Sequence, residues 1–189
     1  PTPAPTPAPT PTTELNPSPT ISSDSDNDLV VPTDKKWAKS LWRFSGKDNS
    51  IDVFIDSEGS FKRKSKKVSD KHREFYVSVF REIEAATKLK IYFTASDDAD
   101  IVIHNTGKRG GATRRKGYFD LNAGKDGRKK LTDLRKEILA ARVLSCFGLD
   151  YFTKNDDHDG DDSLMSYWSA ENGYQGLTPL DINALQSLW

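Results

Sequence analysis

The chain is poor in cysteine and histidine, the residues that most often build disulfide cross-links and zinc sites. It has one cysteine, Cys146, and three histidines, His72, His104 and His158, among 189 residues. A single cysteine excludes an intrachain disulfide, and we expect Cys146 to be a buried, unreactive thiol. The histidines are far apart, and no two have the i, i+4 spacing that places two imidazoles on one helix face for zinc.

Long apolar runs and early basic residues are also missing. No stretch approaches the ~20 consecutive apolar residues that cross a bilayer, so no membrane span is predicted. The first 34 residues contain no Lys or Arg, but nine of the ten prolines and five acids. Alternation of Pro with Thr or Ala over 1–13 predicts an extended spacer, and the acidic stretch 14–34 predicts a disordered segment or a loosely packed strap. We therefore divide the chain into a linker or tail, 1–34, and a folded domain, 35–189.

Charge is unevenly distributed along this neutral chain. Residues 35–136 hold 26 basic and 14 acidic residues, a net charge of +12, whereas 1–34 carries −5 and 137–189 carries −7. This asymmetry indicates a charged partner: a polyanion, another protein, or an acidic part of the same or a neighbouring copy. The candidate binding residues form two clusters: Lys62, Arg63, Lys64, Lys66, Lys67, Arg114, Arg115 and Lys116.

Hydrophobic periodicity predicts alternating strands and helices after residue 35. A period of two predicts a strand at 51–55, and further strands are expected at 90–95, about 101–105 and 117–122. The basic, glycine-rich stretch 106–117 between the last two is predicted to be a loop.

Three helices follow from apolar spacing and capping residues. Ser69 is expected to cap the first, which runs to about Ala86. The second should span about 131–147 and stop at Gly148, and the third should span 178–188. Trp37, Leu41 and Trp42 are predicted core anchors. The element order indicates an α/β or α+β domain.

The second predicted helix and the chain after it contain a recognisable spacing. Ala141 and Ser145 stand four residues apart, Gly148 follows seven residues after Ala141, and Tyr151 comes three residues later. Further on, Met165 lies in Ser-Leu-Met-Ser-Tyr-Trp, ahead of the terminal helix. These features resemble the metzincin zinc metallopeptidases, especially serralysin-like and astacin-like enzymes. Their signature is H-E-x-x-H-x-x-G-x-x-H followed by a Met-turn.

The resemblance implies a metzincin-like catalytic-domain fold whose zinc site has been lost. Such a fold has a mixed twisted sheet, two long helices and a C-terminal helix after the Met-turn, and the stretch DADIVIHN resembles its strand that faces substrate. The three ligand positions hold Ala141, Ser145 and Tyr151, and Arg142 replaces the catalytic Glu. Neither alanine nor arginine can bind zinc or accept a proton near neutral pH. A register with Glu137 as the catalytic Glu loses the helix stop and is rejected.

Two further residue sets follow from the same stretch of sequence. Tyr167 stands two residues past Met165, where these enzymes place a tyrosine that reaches the zinc. The loop NDDHDGDD offers candidate calcium ligands at Asp157, Asp159 and Asp161, because alternate carboxylates with a glycine suit hard cations. A solvated acidic loop without metal is the alternative.

The sequence thus predicts a catalytically inactive metallopeptidase-like domain, a structural or interaction module on a proline-rich tether. Zinc is not expected as a cofactor, calcium is left open, and a protein partner or homo-oligomer is expected. We expect an extracellular, cell-surface or particle-surface location. The alternatives are an active metal-dependent peptidase with a rearranged site around Tyr151, His158 and Tyr167, or a module that binds acidic polysaccharide or nucleic acid.

Overall fold

The computed structural model describes residues 30–46, 48–152, 163–166 and 174–189. Within them the fold is mixed α/β, with one five-stranded sheet and four helices. The strands are β1 (Ser50–Ile55), β2 (Lys90–Thr94), β3 (Ile101–His104), β4 (Gly111–Arg114) and β5 (Phe119–Asn122). The helices are α1 (Lys35–Phe44), α2 (Asp70–Ala86), α3 (Asp133–Cys146) and α4 (Pro179–Leu188).

The sheet has the order β2-β1-β3-β5-β4, and β4 is the one antiparallel strand within it. Its two faces differ in composition because neighbouring side chains on a strand point to opposite sides. In β1 the residues Ile51, Val53 and Ile55 are buried in the core, whereas Asp52 is exposed on the other face. The core-facing side packs against α2 and α3, and α4 packs against α2.

The predicted helices α2, α3 and α4 are confirmed close to their expected bounds. The Ser69 hydroxyl accepts from the His72 amide at the start of α2, although the distance of 3.5 Å is long. Thr178 and Asp181 form a reciprocal capping box at the start of α4. α3 ends at Cys146, two residues before Gly148.

Helix α1 was not predicted as a helix, although three of its residues were expected in the core. The Asp34 carboxylate caps it by accepting from the amides of Lys36 and Trp37. Leu41 is fully buried, but Trp42 is 39% exposed, so the prediction that Trp42 anchors the core is wrong. An amphipathic helix buries only one face, and Trp42 follows Leu41 directly, which turns it away from the core.

The stretch 106–117, predicted to be a loop, contains strand β4. Its four residues pair with β5 in the register Gly111 to Asn122 through Arg114 to Phe119. Main-chain pairing with β5 stabilises the strand although Gly111 and Ala112 have low strand propensity. Charged side chains are common on such edge strands because they discourage further pairing between molecules.

The segment that precedes α1 is packed onto the end of α3. Val31 is 1% exposed, the Asp34 amide donates to the Gly148 carbonyl at 2.7 Å, and the Asp150 amide donates to the Pro32 carbonyl at 2.8 Å. Residues 31–34, the end of the predicted tail, therefore belong to the folded unit. None of the helices in the described part is long and apolar enough to cross a membrane.

Candidate binding cleft

A cleft of about 720 Å³ opens between α3 and the edge strand β4. Helix α1 and the chain that follows α3 also line the cleft. The residues around it combine apolar and polar side chains: Asp34, Trp37, Arg109, Gly110, Gly111, Ala112, Leu134, Glu137, Ile138, Ala141, Arg142, Ser145, Gly148, Leu149, Asp150, Tyr151, Leu164 and Ser166.

The four positions singled out in the metallopeptidase-like motif all line this one cleft. Ala141 and Ser145 lie one helical turn apart on the same side of α3, as i, i+4 spacing requires. Arg142 lies beside them, and Tyr151 stands at the rim with 37% of its surface exposed. The sequence spacing therefore corresponds to a single place in the fold.

Arg142 is held by the chain that follows β5. Its guanidinium donates to the Ala123 carbonyl and to the Asp126 carboxylate, both at 2.9 Å. Its side chain is 14% exposed and that of Asp126 is 24% exposed, so the ion pair is partly shielded from water. The guanidinium also lies so close to Gly110 that a Cβ there would come within 2.3 Å of Nη1. Because residue 110 is a glycine, the Arg142 side chain can pass next to the main chain before β4 and join α3 to Ala123 and Asp126.

The donor atoms at the motif positions do not suit zinc. Ala141 has no ligating atom, and the Ser145 hydroxyl donates to the Ala141 carbonyl at 3.1 Å within the helix. Among the described residues, no group of three or more His, Cys, Asp or Glu side chains is arranged to hold a metal ion. Neutral hydroxyl oxygens are poor zinc ligands beside imidazole and thiolate.

Cys146 lies next to this motif but is turned into the core. The thiol is fully buried, as expected, and burial raises its pKa far above the ordinary value, while the negative charge of Asp120 adds to the shift. A thiol rather than a thiolate therefore occupies this position at neutral pH.

The segment 163–166, which holds the predicted Met-turn, forms a turn under the cleft. Met165 is fully buried, and its carbonyl accepts from the Phe152 amide at 3.2 Å. The turn is fastened to α4 because the buried Asp181 carboxylate accepts from the Ser163 hydroxyl at 2.6 Å and from the Leu164 amide at 3.1 Å. The same carboxylate closes the capping box of α4, so the turn and the helix are positioned together.

The strand beside the cleft is β4, and not the one that the sequence indicated. DADIVIHN contains β3, which pairs with β1 on one side and with β5 on the other. A strand with both edges paired cannot offer its main chain to a ligand. Within the described residues β4 pairs with β5 alone, and Gly111 and Ala112 border the cleft.

Three cleft residues were missed or set aside at the sequence level. Glu137 is 6% exposed and lies one turn before Ala141 on α3. Residues four apart lie on one helix face, so the sequence alone could have placed Glu137 beside Ala141. Arg109 and Trp37 come from distant parts of the chain. Their arrival at the cleft depends on the packing of α1 and of the chain before β4, which no local pattern shows.

The two predicted basic clusters meet on the opposite face of the sheet, around Asp120. One oxygen of this buried carboxylate lies 2.5 Å from His104 Nε2, and the other lies 2.5 Å from Lys62 Nζ and 3.3 Å from Arg115 Nε. Burial opposes ionisation of Asp120, but its hydrogen bonds and its electrostatic attraction to His104 and Lys62 outweigh that effect. They hold the pKa of the carboxyl well below its usual range.

Arg114 does not join this group, although it precedes Arg115 in the sequence. It stands opposite Phe119 in the hairpin, on the core side of the sheet, and its guanidinium donates to the Ser40 hydroxyl of α1 at 2.9 Å. Alternation along the strand thus separates the two arginines onto opposite faces.

Several predicted site residues lie outside the described part of the chain. They are Tyr167, the candidate calcium ligands Asp157, Asp159 and Asp161, and His158. The two described histidines make separate contacts. His72 Nδ1 lies 2.7 Å from the Ser69 hydroxyl, and its Nε2 lies 3.2 Å from the Asp126 carbonyl, whereas His104 contacts Asp120.

No protein-family model matches the chain, and no curated protein matches it either.

Proposed function

We propose that the chain is a metallopeptidase-like domain without catalytic activity, which binds an extended polypeptide in the cleft beside β4. The observation that carries the proposal is the ion pair of Arg142 with Asp126. It fixes a guanidinium at the position where the metzincin signature has its catalytic Glu. The domain serves as an interaction module on the proline-rich tail, displayed at a cell or particle surface.

The architecture supports the metzincin-like part of the proposal. The resemblance implies a mixed sheet, two long helices and a terminal helix after a turn that contains methionine. The described residues form a sheet with one antiparallel edge strand, and their longest helices are α2 and α3, of 17 and 14 residues. A buried Met165 lies in a turn that α4 holds through Asp181.

The chemistry of the cleft supports the loss of catalysis. Peptide hydrolysis by a zinc enzyme needs a metal-activated water and a base that removes its proton. The guanidinium of Arg142 has no lone pair for a proton at neutral pH, and it is already bonded to Ala123 and Asp126. The neighbouring Ala141 supplies no ligand at all.

The shape of the cleft supports polypeptide binding. An exposed strand edge offers main-chain donors and acceptors, and pockets beside it select side chains. Here the edge of β4 borders a cleft whose apolar surface includes Trp37, Leu134 and Ile138. Glu137 and Arg109 add charges of both signs, which would fix the direction and register of a bound segment.

Rebuilding the zinc site tests whether the motif alignment is right. We expect the variant Ala141→His, Ser145→His, Tyr151→His with Arg142→Gln to bind one zinc per chain. Three imidazoles would then replace the lost ligands and the cation would be gone. Glutamine is chosen over glutamate because a second carboxylate next to Asp126 would be repelled. Zinc content after dialysis and binding isotherms give the readout.

The matched control carries Ala141→His and Ser145→His alone, and should bind zinc at least about 100-fold more weakly because it keeps Arg142 and lacks the third ligand. Equal affinity of the two variants would show that position 151 does not complete the site, which contradicts the alignment. Stoichiometric zinc in the unaltered protein, or chelator-sensitive peptide cleavage by it, would overturn the proposal itself.

A further inference from the structure

The residues between β1 and α2 form a long loop that crosses the outer face of the sheet, the face turned away from α2 and α3. The buried Asp56 carboxylate organises its start by accepting from the amides of Gly59, Ser60 and Phe61, at 2.7, 2.9 and 3.2 Å. Gly59 has φ +78°, and a Cβ there would lie 2.7 Å from the Lys67 amide nitrogen. The loop is therefore folded back on itself, with its two ends in contact.

Two contacts fasten this loop to the neighbouring β4–β5 hairpin. Lys62 pairs with Asp120 of β5, and Phe61 packs edge-on against Tyr118 with ring centroids 6.2 Å apart. At the tip of the hairpin the Arg115 amide donates to the Tyr118 carbonyl, and the Arg115 side chain reaches the same Asp120. Two segments that are about 50 residues apart in sequence are thus held side by side.

The two segments together carry a large excess of positive charge. Residues 60–67 contain five basic residues and no acid, and the hairpin tip adds Arg115 and Lys116. Arg63, Lys64, Lys66, Lys67, Arg115 and Lys116 are all exposed. The acid that joins the segments, Asp120, is 4% exposed and already engaged by three positive or ionisable groups. Holding so many cations together is unfavourable unless an anion neutralises them.

We propose that this surface, formed by residues 60–67 and 115–116, binds a sulfated polysaccharide. Clustered exposed lysine and arginine suit the closely spaced sulfate and carboxylate groups of such a chain. Binding of single-stranded nucleic acid usually adds exposed aromatic side chains on which bases stack. The aromatic residues of this surface, Phe61 and Tyr118, are half-buried and pack on each other, and Phe61 also covers the His104 ring at 5.2 Å.

The surface shares no residue with the lining of the cleft. The inference is therefore independent of the proposed polypeptide binding, and either can fail without the other. A domain with both would attach to an acidic glycan by one face and hold a polypeptide by another.

The test uses the full chain and a size-defined heparin fragment as the probe. Lys64→Glu in the loop and Lys116→Glu in the hairpin tip should each weaken binding by about tenfold, because each removes an attraction and adds a repulsion. The matched control, Lys39→Glu with Lys88→Glu, makes the same kind of change at exposed residues outside the two segments and should bind as the unaltered chain does. Titration calorimetry at 50, 150 and 300 mM NaCl should show affinity falling with salt in the unaltered chain, and falling less steeply in either variant.

Each other result contradicts the proposal in a specific way. Loss of affinity in the loop variant alone would show that the hairpin tip is not part of the site. An equal loss in the control would show that net charge, and not this surface, attracts the probe. Tighter binding of a 20-nucleotide single strand than of the heparin fragment would make the surface a nucleic-acid site.

Discussion

Two ion-pair groups among the described residues, one in the cleft and one on the outer sheet face, are built in opposite ways. In the cleft one cation, Arg142, is matched by one acid, Asp126, and one carbonyl. On the outer face one acid, Asp120, is shared by Lys62, Arg115 and His104.

The two groups differ in the ratio of cations to acids, so charge is neutralised in the cleft but not at the outer face. The cleft pair is neutral, and the Arg142 guanidinium is already bonded within the domain. The pair therefore joins α3 to the chain after β5. The outer group has more positive than negative charge, and the surplus is directed to the surface. A partner attracted by charge is therefore expected at the outer face, and one recognised by shape and main-chain pairing at the cleft.

Breaking the outer group should have the largest effect on stability. Asp120→Asn keeps the shape but removes the charge that faces Lys62 and His104, so we expect a loss of about 2–4 kcal/mol in the free energy of unfolding. The value lies below that of a fully buried pair because the Lys62 side chain is 38% exposed. Urea denaturation gives the measurement. The exposed Asp97→Asn is the control and should change stability by less than about 0.5 kcal/mol. Similar values for both variants would mean that Asp120 is not a structural anchor.

Breaking the cleft pair should have a smaller effect. Arg142→Met fills a similar volume but removes the guanidinium donor of the Asp126 carboxylate. The Ala123 carbonyl loses one of its two donors and keeps the Gly127 amide. We expect a cost of about 1–2 kcal/mol. Lys136→Met on the same helix removes a surface pair with Asp133 and should cost less than about 0.5 kcal/mol. If the two substitutions are equivalent, the guanidinium does not fasten α3.

Acid should reduce the outer contribution gradually. The pKa of Asp120 is lowered in the folded chain, so its stabilising effect is complete above the unfolded value of about 3.9 and disappears as pH falls towards the folded value. The stability difference between the unaltered chain and Asp120→Asn should therefore shrink as pH is lowered from about 5 to about 2. Urea midpoints at several pH values measure it. A difference that stays constant over this interval would show that folding does not lower the pKa of Asp120.

Elements with a buried apolar face could be predicted from the sequence, because their apolar residues recur with the period of a helix or a strand. The bounds of α2, α3 and α4 followed from spacings of three and four and from capping residues. β4 could not be predicted, since it exists through main-chain bonds to β5 and its residues are glycine, alanine, threonine and arginine. Trp42 was misjudged because its position on α1 depends on which face of that helix meets the sheet.

The candidate sites also differ in how far they could be predicted, because one is formed by residues close in sequence and the other by residues far apart. The motif positions on α3 are local in sequence, so their spacing was enough to bring Ala141, Ser145 and Arg142 to one place. The meeting of Lys62 with Arg115 at Asp120 spans more than 50 residues, and nothing in either segment indicates the other. The register with Glu137 as the catalytic Glu loses the helix stop and was rejected, although helical spacing alone placed Glu137 beside Ala141.

The short strand β4 lies between the cleft and the basic surface. Thr113 stands opposite Asp120 on the outer face and Arg114 stands opposite Phe119 on the core face, so single substitutions on the strand alter one side at a time. An insertion or deletion of one residue within it would instead exchange the faces of every side chain between the change and the turn. Arg114 would move to the basic surface and its bond to Ser40 would be lost. We therefore expect related sequences to vary in residue type along β4 and to conserve its length.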